Sequence, residues 1–384
     1  MMSPLSMLSS HLHLPLHSCC LRHTTTTLLP SFSPITHTTR TNIMSYSIRA
    51  FSSSSAQEIS PSLPLPENRV VLGCGAACID YLATVDSYPK PDDKIRSTSL
   101  KIQGGGNAGN ALTCAAHLGL KPRLISKVAN DAQGKAILEE LEADGVDTSF
   151  FVVSKEGNSP FTYVIVDKET KTRTCIHTPL YPPMMPNELP QSSLLSALEC
   201  ARLVYFDGRL QETALVIGKE ATQRNIPVLI DAEKKREGLD DLLNLADYVV
   251  CSARFPQEWT EAPSIPSALV SMLLRLSNVK FVIVTLGEDG CMMLERSINM
   301  MRLKANEIGA VNGILHIGTA ENIPPSELID TTGAGDAFIG AVLYSICADK
   351  PPEKMLPFAA SVAAAACKAL GARSGLPKYT PIHV

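Results

Sequence analysis

From residue 70 onward, apolar runs of strand length alternate with amphipathic segments of helical spacing, an order that admits few architectures. Strands are predicted at Val70 to Leu72, Leu124 to Val128, Leu203 to Phe206, Val228 to Asp231, Tyr248 to Cys251 and Phe281 to Thr285. Helices are predicted between them. Asn107 to Leu118 stops at Gly119 and Ala132 to Ala143 stops before Gly145, and a glycine just past the last turn is a usual helix stop. The expectation is an α/β fold in three layers around a central, mostly parallel sheet. Two stretches with strand character and interleaved polar residues, Ile79 to Gln103 and Phe161 to Ile176, break the alternation. In the second, Phe161 to Val166 and Thr172 to Ile176 flank the charged turn Asp167 to Lys171, as in a hairpin. Together they read as a small β-sheet lid, interleaved in sequence with the core.

Composition narrows the function. With 45% apolar residues and 19% charged, the 384-residue chain can bury a large core, and a formal charge of −4 gives no general reason to bind nucleic acid. No run of 18 or more apolar residues occurs, so no membrane-spanning helix is expected, and the alanine-rich stretch Phe358 to Leu370 reads as a buried helix. The eleven cysteines lack C-x-x-C spacing and read as reduced packing residues, not as a zinc cluster. Residues 1–57 differ from the rest: they hold no Asp, Glu, Lys or Gly, 21 are Ser or Thr, and the cations besides His are Arg22, Arg40 and Arg49. This is the composition of a disordered transit peptide for an organelle, chloroplast ahead of mitochondrion, with Met44 as an alternative start that would leave the product in the cytosol. A Pro-rich linker, residues 58–68, follows.

Two glycine clusters carry the chemistry. Asp330-Thr331-Thr332-Gly333-Ala334-Gly335-Asp336 precedes a helical pattern through Ile346. Gly333 and Gly335 let the backbone turn tightly and aim the N–H groups of Ala334, Gly335 and Asp336 into one concave spot at the positive end of a helix, an anion hole. Asp336, in the first helical turn, is placed to take a proton from a hydroxyl while those amides hold phosphoryl oxygens; its plainer role is to favour the helix start. The second cluster, Gly104-Gly105-Gly106-Asn107-Ala108-Gly109-Asn110, contains G-x-G-x-x-G, yet the residues before it alternate polar and apolar instead of forming the buried strand a dinucleotide site needs. It offers instead a turn opening a helix with two amides, Asn107 and Asn110, one turn apart, a face suited to polyol hydroxyls or simply to capping. No G-x-x-x-x-G-K-[ST] loop occurs.

With Gly105 to Asn110 near one end, Asp330 to Asp336 near the other and a lid between, the chain resembles the ribokinase-like, or PfkB, carbohydrate kinases over residues 69–377, with lid segments 79–103 and 159–178 and a tail at 378–384. Within that family it is most similar to the ketohexokinase branch, through Gly73 to Gln103, Asp207-Gly208-Arg209 and Asp231-Ala232-Glu233-Lys234. The resemblance implies ATP-dependent phosphorylation of a small-sugar hydroxyl, a ketose such as fructose favoured, with Asp336 as base. It implies that Asp80, Gly105, Gly106, Asn107, Asn110 and Arg209 bind the sugar. Thr285, Gly287, Glu288, Gly290, Thr332 and Gly371 would bind ATP, with the loop Gly371 to Pro377 closing on the adenine. Many relatives carry N-x-x-E where this chain has Cys251-Ser252-Ala253-Arg254-Phe255, so Mg²⁺ would be held mainly by ATP phosphates and water, and no protein ligand is assigned. A nucleoside substrate and a catalytically silent scaffold are the competing readings. The lid hairpin, with Phe161, Val164 and Val166, is expected to offer an apolar face to a second copy.

Overall fold

The computed structural model describes residues 46–51, 67–297 and 313–378. Strand β1 (Tyr46–Phe51) precedes β2 (Val70–Cys74), β3 (Cys78–Val85), β4 (Ser99–Gly105), helix α1 (Asn107–His117), β5 (Lys121–Ile125), β6 (Lys127–Ala129) and α2 (Ala132–Ala143). Then come β7 (Val152–Ser154), β8 (Phe161–Asp167), β9 (Arg173–Thr178), α3 (Gln191–Leu198), β10 (Leu203–Phe206), α4 (Gln211–Gln223), β11 (Val228–Ala232), α5 (Leu239–Leu243) and β12 (Tyr248–Ser252). The last part holds α6 (Phe255–Thr260), α7 (Ile265–Arg275), β13 (Phe281–Thr285), β14 (Cys291–Arg296), β15 (Gly313–Gly318), α8 (Ala334–Cys347) and α9 (Pro352–Ala366).

Nine strands form the main sheet in the order β1-β15-β14-β13-β12-β11-β10-β2-β5. Only β14 runs antiparallel to its neighbours. Its strands are apolar on both faces because both are covered. Leu203 and Tyr205 of β10 enter a core shared with α1, α8 and α9, while Val204 and Phe206 enter the opposite core with α4, α5 and α7. Helix α8 lies deep enough to be buried from Ala337 to Ser345, which is why its sequence lacks a polar face. Helix α2 starts at Asp131, whose Oδ1 accepts the Gly134 N–H at 2.7 Å, a cap worth about 1 kcal/mol. Seven of the nine cysteines among the described residues are buried, and all nine are free.

The lid is a separate sheet in the order β4-β3-β8-β9. Its inner face carries Leu82, Val164 and Val166, packed with Leu370. The expected apolar outer face therefore has a different membership. Because side chains alternate along β8, Val164 and Val166 point inward; Phe161 meets Tyr81 and Tyr163 edge-on, and the open face consists of Leu100, Ile102, Tyr163 and Ile176, each more than half exposed.

Two expectations need correcting. The strand read at Leu124 to Val128 is broken at Ser126, whose hydroxyl donates to the Gly75 carbonyl at 2.7 Å; β5 ends in the main sheet and β6 pairs with β7. Within the segment read as a disordered leader, Tyr46–Phe51 forms an edge strand parallel to β15. Its alternation of Tyr46, Ile48 and Ala50 with Ser47 and Arg49 is the period-2 pattern that bulk composition hid. The rest of that leader, and the linker up to residue 66, lie outside the described residues, as do residues 298–312 and 379–384. Gly313–Gly318, where the sequence pattern placed no strand, forms β15.

Candidate active site

The carboxyl ends of β10 and β11 and the N-terminus of α8 converge at one edge of the main sheet, where α/β proteins place their ligands. Asp330 organises the turn before α8: its Oδ1 accepts from the Thr332 N–H at 2.9 Å and the Thr332 hydroxyl at 2.7 Å, and its Oδ2 accepts from the Gly371 N–H at 2.9 Å. Gly333 then adopts φ 74°, and a Cβ there would lie 2.4 Å from that of Ala372. Of the three amides expected to form the anion hole, that of Ala334 is already used, donating to the Thr331 carbonyl at 3.3 Å. Those of Gly335 and Asp336 lie in the first helical turn, which has no acceptor within the helix.

On one side of this turn lies a cleft of about 640 Å³, lined by Thr285, Gly287, Glu288 and Gly290, by Ala320 to Ile323, and by Thr331, Ala334, Gly335 and Phe338. Its far wall is the small-residue face of α9, with Ala360, Ala363, Ala364 and Cys367. Two expected members lie elsewhere. The Thr332 side chain faces inward onto Asp330, and its neighbour Thr331 faces the cleft. Gly371 sits behind the turn, where a Cβ would strike Gln103, and its loop supports the lid: Lys101 Nζ donates to the Leu370 carbonyl at 2.8 Å and also bonds the Ser374 hydroxyl. The C-terminal loop therefore docks beneath the lid, and the far wall of the cleft comes from α9 instead.

On the other side, Asp336 is joined by polar groups from four directions. Asn110 Nδ2 donates to Asp336 Oδ2 at 2.9 Å, and the Asn107 side chain lies near Asp231. Helix α1, which carries both amides, opens at Gly106 with φ 87°; a Cβ there would strike the Ala76 carbonyl. The lid contributes one transverse row, Gln103, Asp80, Thr162 and His177, aligned by strand register. Asp80 lies so close over Gly105 that a Cβ there would be 2.2 Å from its Oδ2. Arg209 Nη2 donates to Glu233 Oε2 at 2.9 Å, and the same oxygen accepts from Arg236 at 3.0 Å. Asp207, fully buried, accepts the N–H groups of Ala76 at 2.7 Å and Ala108 at 3.2 Å, pinning the start of α1 to the end of β10.

Desolvation pushes the Asp336 pKa up to about 7; the Asn110 hydrogen bond opposes this, and the nearby charges of Glu233 and Asp207 reinforce it. Asp231 is held well above the ordinary carboxylate range, first by burial and then by Asp336 and Asp207. Burial likewise raises Asp80, and it lowers His177, as does the charge of Arg209. Sequence reasoning passed over Arg173, whose Nη1 donates from the lid to the Thr331 hydroxyl at 3.0 Å beside the anion hole, and treated Asp231 only as part of a resemblance. A lone cation in a hairpin gives no signal by itself; the carboxylate at the end of a buried strand does, since a charge there needs a reason.

Mouse (Mus musculus) ketohexokinase is 25% identical over 309 residues, covering 78% of this chain and 97% of its own. Bacillus subtilis ribokinase is 25% identical over 319 residues, 80% and 96% of the two chains. Among solved structures, ribokinase from Thermotoga maritima superposes with a TM-score of 0.65 at 22% identity, covering 81% of this chain and 96% of the other. Arabidopsis thaliana ribokinase complexed with ribose and ATP gives 0.64 at 20% identity, with 82% and 97% covered. Residues 71–379 match the pfkB family carbohydrate kinases, and the chain belongs to that family of phosphotransferases.

Proposed function

We propose that the chain transfers the γ-phosphoryl group of ATP to a primary hydroxyl of a small sugar, with a ketose such as fructose as acceptor and Asp336 as the base. The observation that carries this reading is the position of Asp336. It stands at the boundary between an open cleft lined by small residues and a closed polar side, with two amides of α8 beside it. The cleft suits ATP, its base against the α9 alanines and its phosphates toward Thr331 and Gly335. The polar side suits hydroxyls: Asp80, Asn107, Asn110, His177 and Arg209 offer directional hydrogen bonds and little aromatic surface for a nucleobase. Its likeness along most of its length to a ketohexokinase supports the ketose.

In the proposed reaction the acceptor oxygen loses its proton to Asp336 as it attacks the γ-phosphorus, and the β–γ bridging bond breaks to release ADP. The amides of Gly335 and Asp336, with Arg173 reaching over from the lid, stabilise the charge on the transferring oxygens. A pKa near 7 lets Asp336 be ionised at neutral pH yet basic enough to accept the proton. Mg²⁺ would be carried mainly by the ATP phosphates and water, in keeping with its reluctance to dehydrate. When bound it neutralises phosphate charge.

The leader composition supports import into a chloroplast, and the exposed lid face supports a homodimer. The experiment is a coupled ADP-release assay on the full chain with Mg-ATP and a panel of fructose, other ketoses, ribose and nucleosides. Turnover with a ketose, lost in Asp336→Asn, is expected; turnover with nucleosides alone would overturn the acceptor, and silence across the panel would favour a non-enzymatic relative.

A further inference from the structure

Asn110 touches Asp336 through its amide nitrogen, yet an amide presents oxygen and nitrogen in nearly the same shape, so something must set which end faces the carboxylate. The other end meets Arg373, which is 4% exposed and lies at the centre of the C-terminal loop beneath the lid. Arg373 Nε donates to Asn110 Oδ1 at 3.0 Å. A guanidinium has five donors and no acceptor, so it tolerates only the amide oxygen.

The rest of the guanidinium is held from two other elements, β4 and α2 with its C-cap. Nη2 donates to the Gly105 carbonyl at the end of β4, at 3.2 Å. Nη1 approaches Glu140 Oε1 of α2 at 3.4 Å and Asp144 Oδ2 at 3.8 Å. The glycine cluster Gly104 to Asn110 is shaped around this group: a Cβ on Gly104 would lie 2.3 Å from Nη1, and one on Gly109 would lie 2.8 Å from Nη2. Neither glycine has a positive φ, so the close approach, not backbone freedom, explains the residue type.

We propose that Arg373 is a positioning residue for Asp336: its Nε–H fixes the orientation of the Asn110 amide so that N–H, and not the amide oxygen, meets the carboxylate. The inference rests on the reading of Asp336 as the base. Without that donor the amide is free to turn its oxygen toward Asp336, which removes a hydrogen bond to the ionised form and raises its pKa. The groups facing Asp336 are Asn110 and Cys114 of α1, Tyr205 and Asp207 at β10, Asp231 and Glu233 at β11, and Arg173 of the lid. Those facing Arg373 are Asn110, Glu140, Asp144, Cys78 and Asp80. Among the described residues only Asn110 both bonds Asp336 and bonds the guanidinium.

The test uses an isosteric pair. In Arg373→Gln the side-chain amide nitrogen occupies the position of Nε and can donate; in Arg373→Met a methyl group occupies it and cannot. Both lose the ion pairs equally, so a merely structural role affects them alike. The readout is the thermal unfolding midpoint of the full chain from pH 5 to 9, taken as the difference between each protein and its Asp336→Asn counterpart. Between the ordinary carboxylate pKa and the raised folded pKa, the native state retains a proton that the unfolded state has lost. Rising pH therefore destabilises the Asp336 protein against its Asn counterpart, and the gap stops widening above the folded pKa.

We expect that break near pH 7 in the wild type and in Arg373→Gln, and about one pH unit or more higher in Arg373→Met, the equivalent of one hydrogen bond to a charged group. Glu140→Gln, which weakens the ion pair and leaves the Nε bond, should not move it. An unmoved break in Arg373→Met, or equal shifts in the isosteric pair, would overturn the proposal; so would a shift in Glu140→Gln, which decides the matter if Arg373→Met does not fold. An unmoved break with turnover lost in Asp336→Asn sinks this inference alone, whereas retained turnover in Asp336→Asn sinks the base reading itself.

Discussion

The two sides of the turn before α8 are built on opposite principles. The cleft side carries Ala320, Ala334, Ala360, Ala363 and Ala364 with glycines, so that a ligand held there would be selected mainly by shape and backbone contact. The opposite side gathers Asp80, Asp207, Asp231, Glu233 and Asp336 with Asn107 and Asn110, and hydrogen bonds such as Asn110 to Asp336 and Arg209 to Glu233 orient part of the set. A phosphate donor shared by many enzymes can be held by a generic trough, while an acceptor must be told from water and from similar polyols. That discrimination needs directional groups whose loss leaves a partner unpaired.

Substitutions on the two sides should therefore separate in kinetics. The largest effect is expected for Asp336→Asn, a fall in kcat of about 10²- to 10⁴-fold with KM for ATP nearly unchanged, measured by steady-state ADP release. In the wild type the same residue should make kcat/KM fall below pH 7, as protonation removes the base, and a profile flat to pH 5 would break the assignment. Asp80→Asn comes next, raising the acceptor KM by about 10- to 100-fold, the scale of one hydrogen bond to a charged group, without a matching change for ATP. On the cleft side, Ala363→Leu should raise KM for ATP about tenfold by overfilling the trough and leave the pH profile in place. Smallest is Ile102→Glu on the open lid face: sedimentation should show the proposed dimer lost, with turnover changed by about twofold, as for a surface change of roughly 0.5 kcal/mol. Equal effects of Asp80→Asn on both substrates would erase the contrast between the sides.

How much of this was readable beforehand follows the same division. Asp330 to Asp336 was legible because the backbone demands glycine at Gly333, whose φ is 74°, and that demand is written locally, whereas Gly335 has ordinary φ and open space beside it. The main strands were legible because a sheet covered on both faces needs unbroken apolar runs. The α9 wall was not, since alanines that line a cleft and alanines that pack a core look alike until the helix is placed. Arg373 was hidden for a related reason. Its partners lie on α1, α2 and β4, more than 200 residues away in sequence, and only their assembly shows that Gly104 and Gly109 are small on its account. The β1 pattern was obscured by its Ser- and Thr-rich surroundings.

The register of the lid has a further consequence, for the order in which the chain folds. Ile79 pairs in parallel with Phe161, and everything from α1 to β7 lies between them. Closing such a long loop costs entropy that no local contact repays, so this pairing should wait until α1, β5 and α2 have condensed on the sheet and brought its ends together. The lid is then not a module that could be transplanted or that folds alone. It is a late product of the core, and a chain arrested before that step would hold a formed anion turn with no enclosure over it.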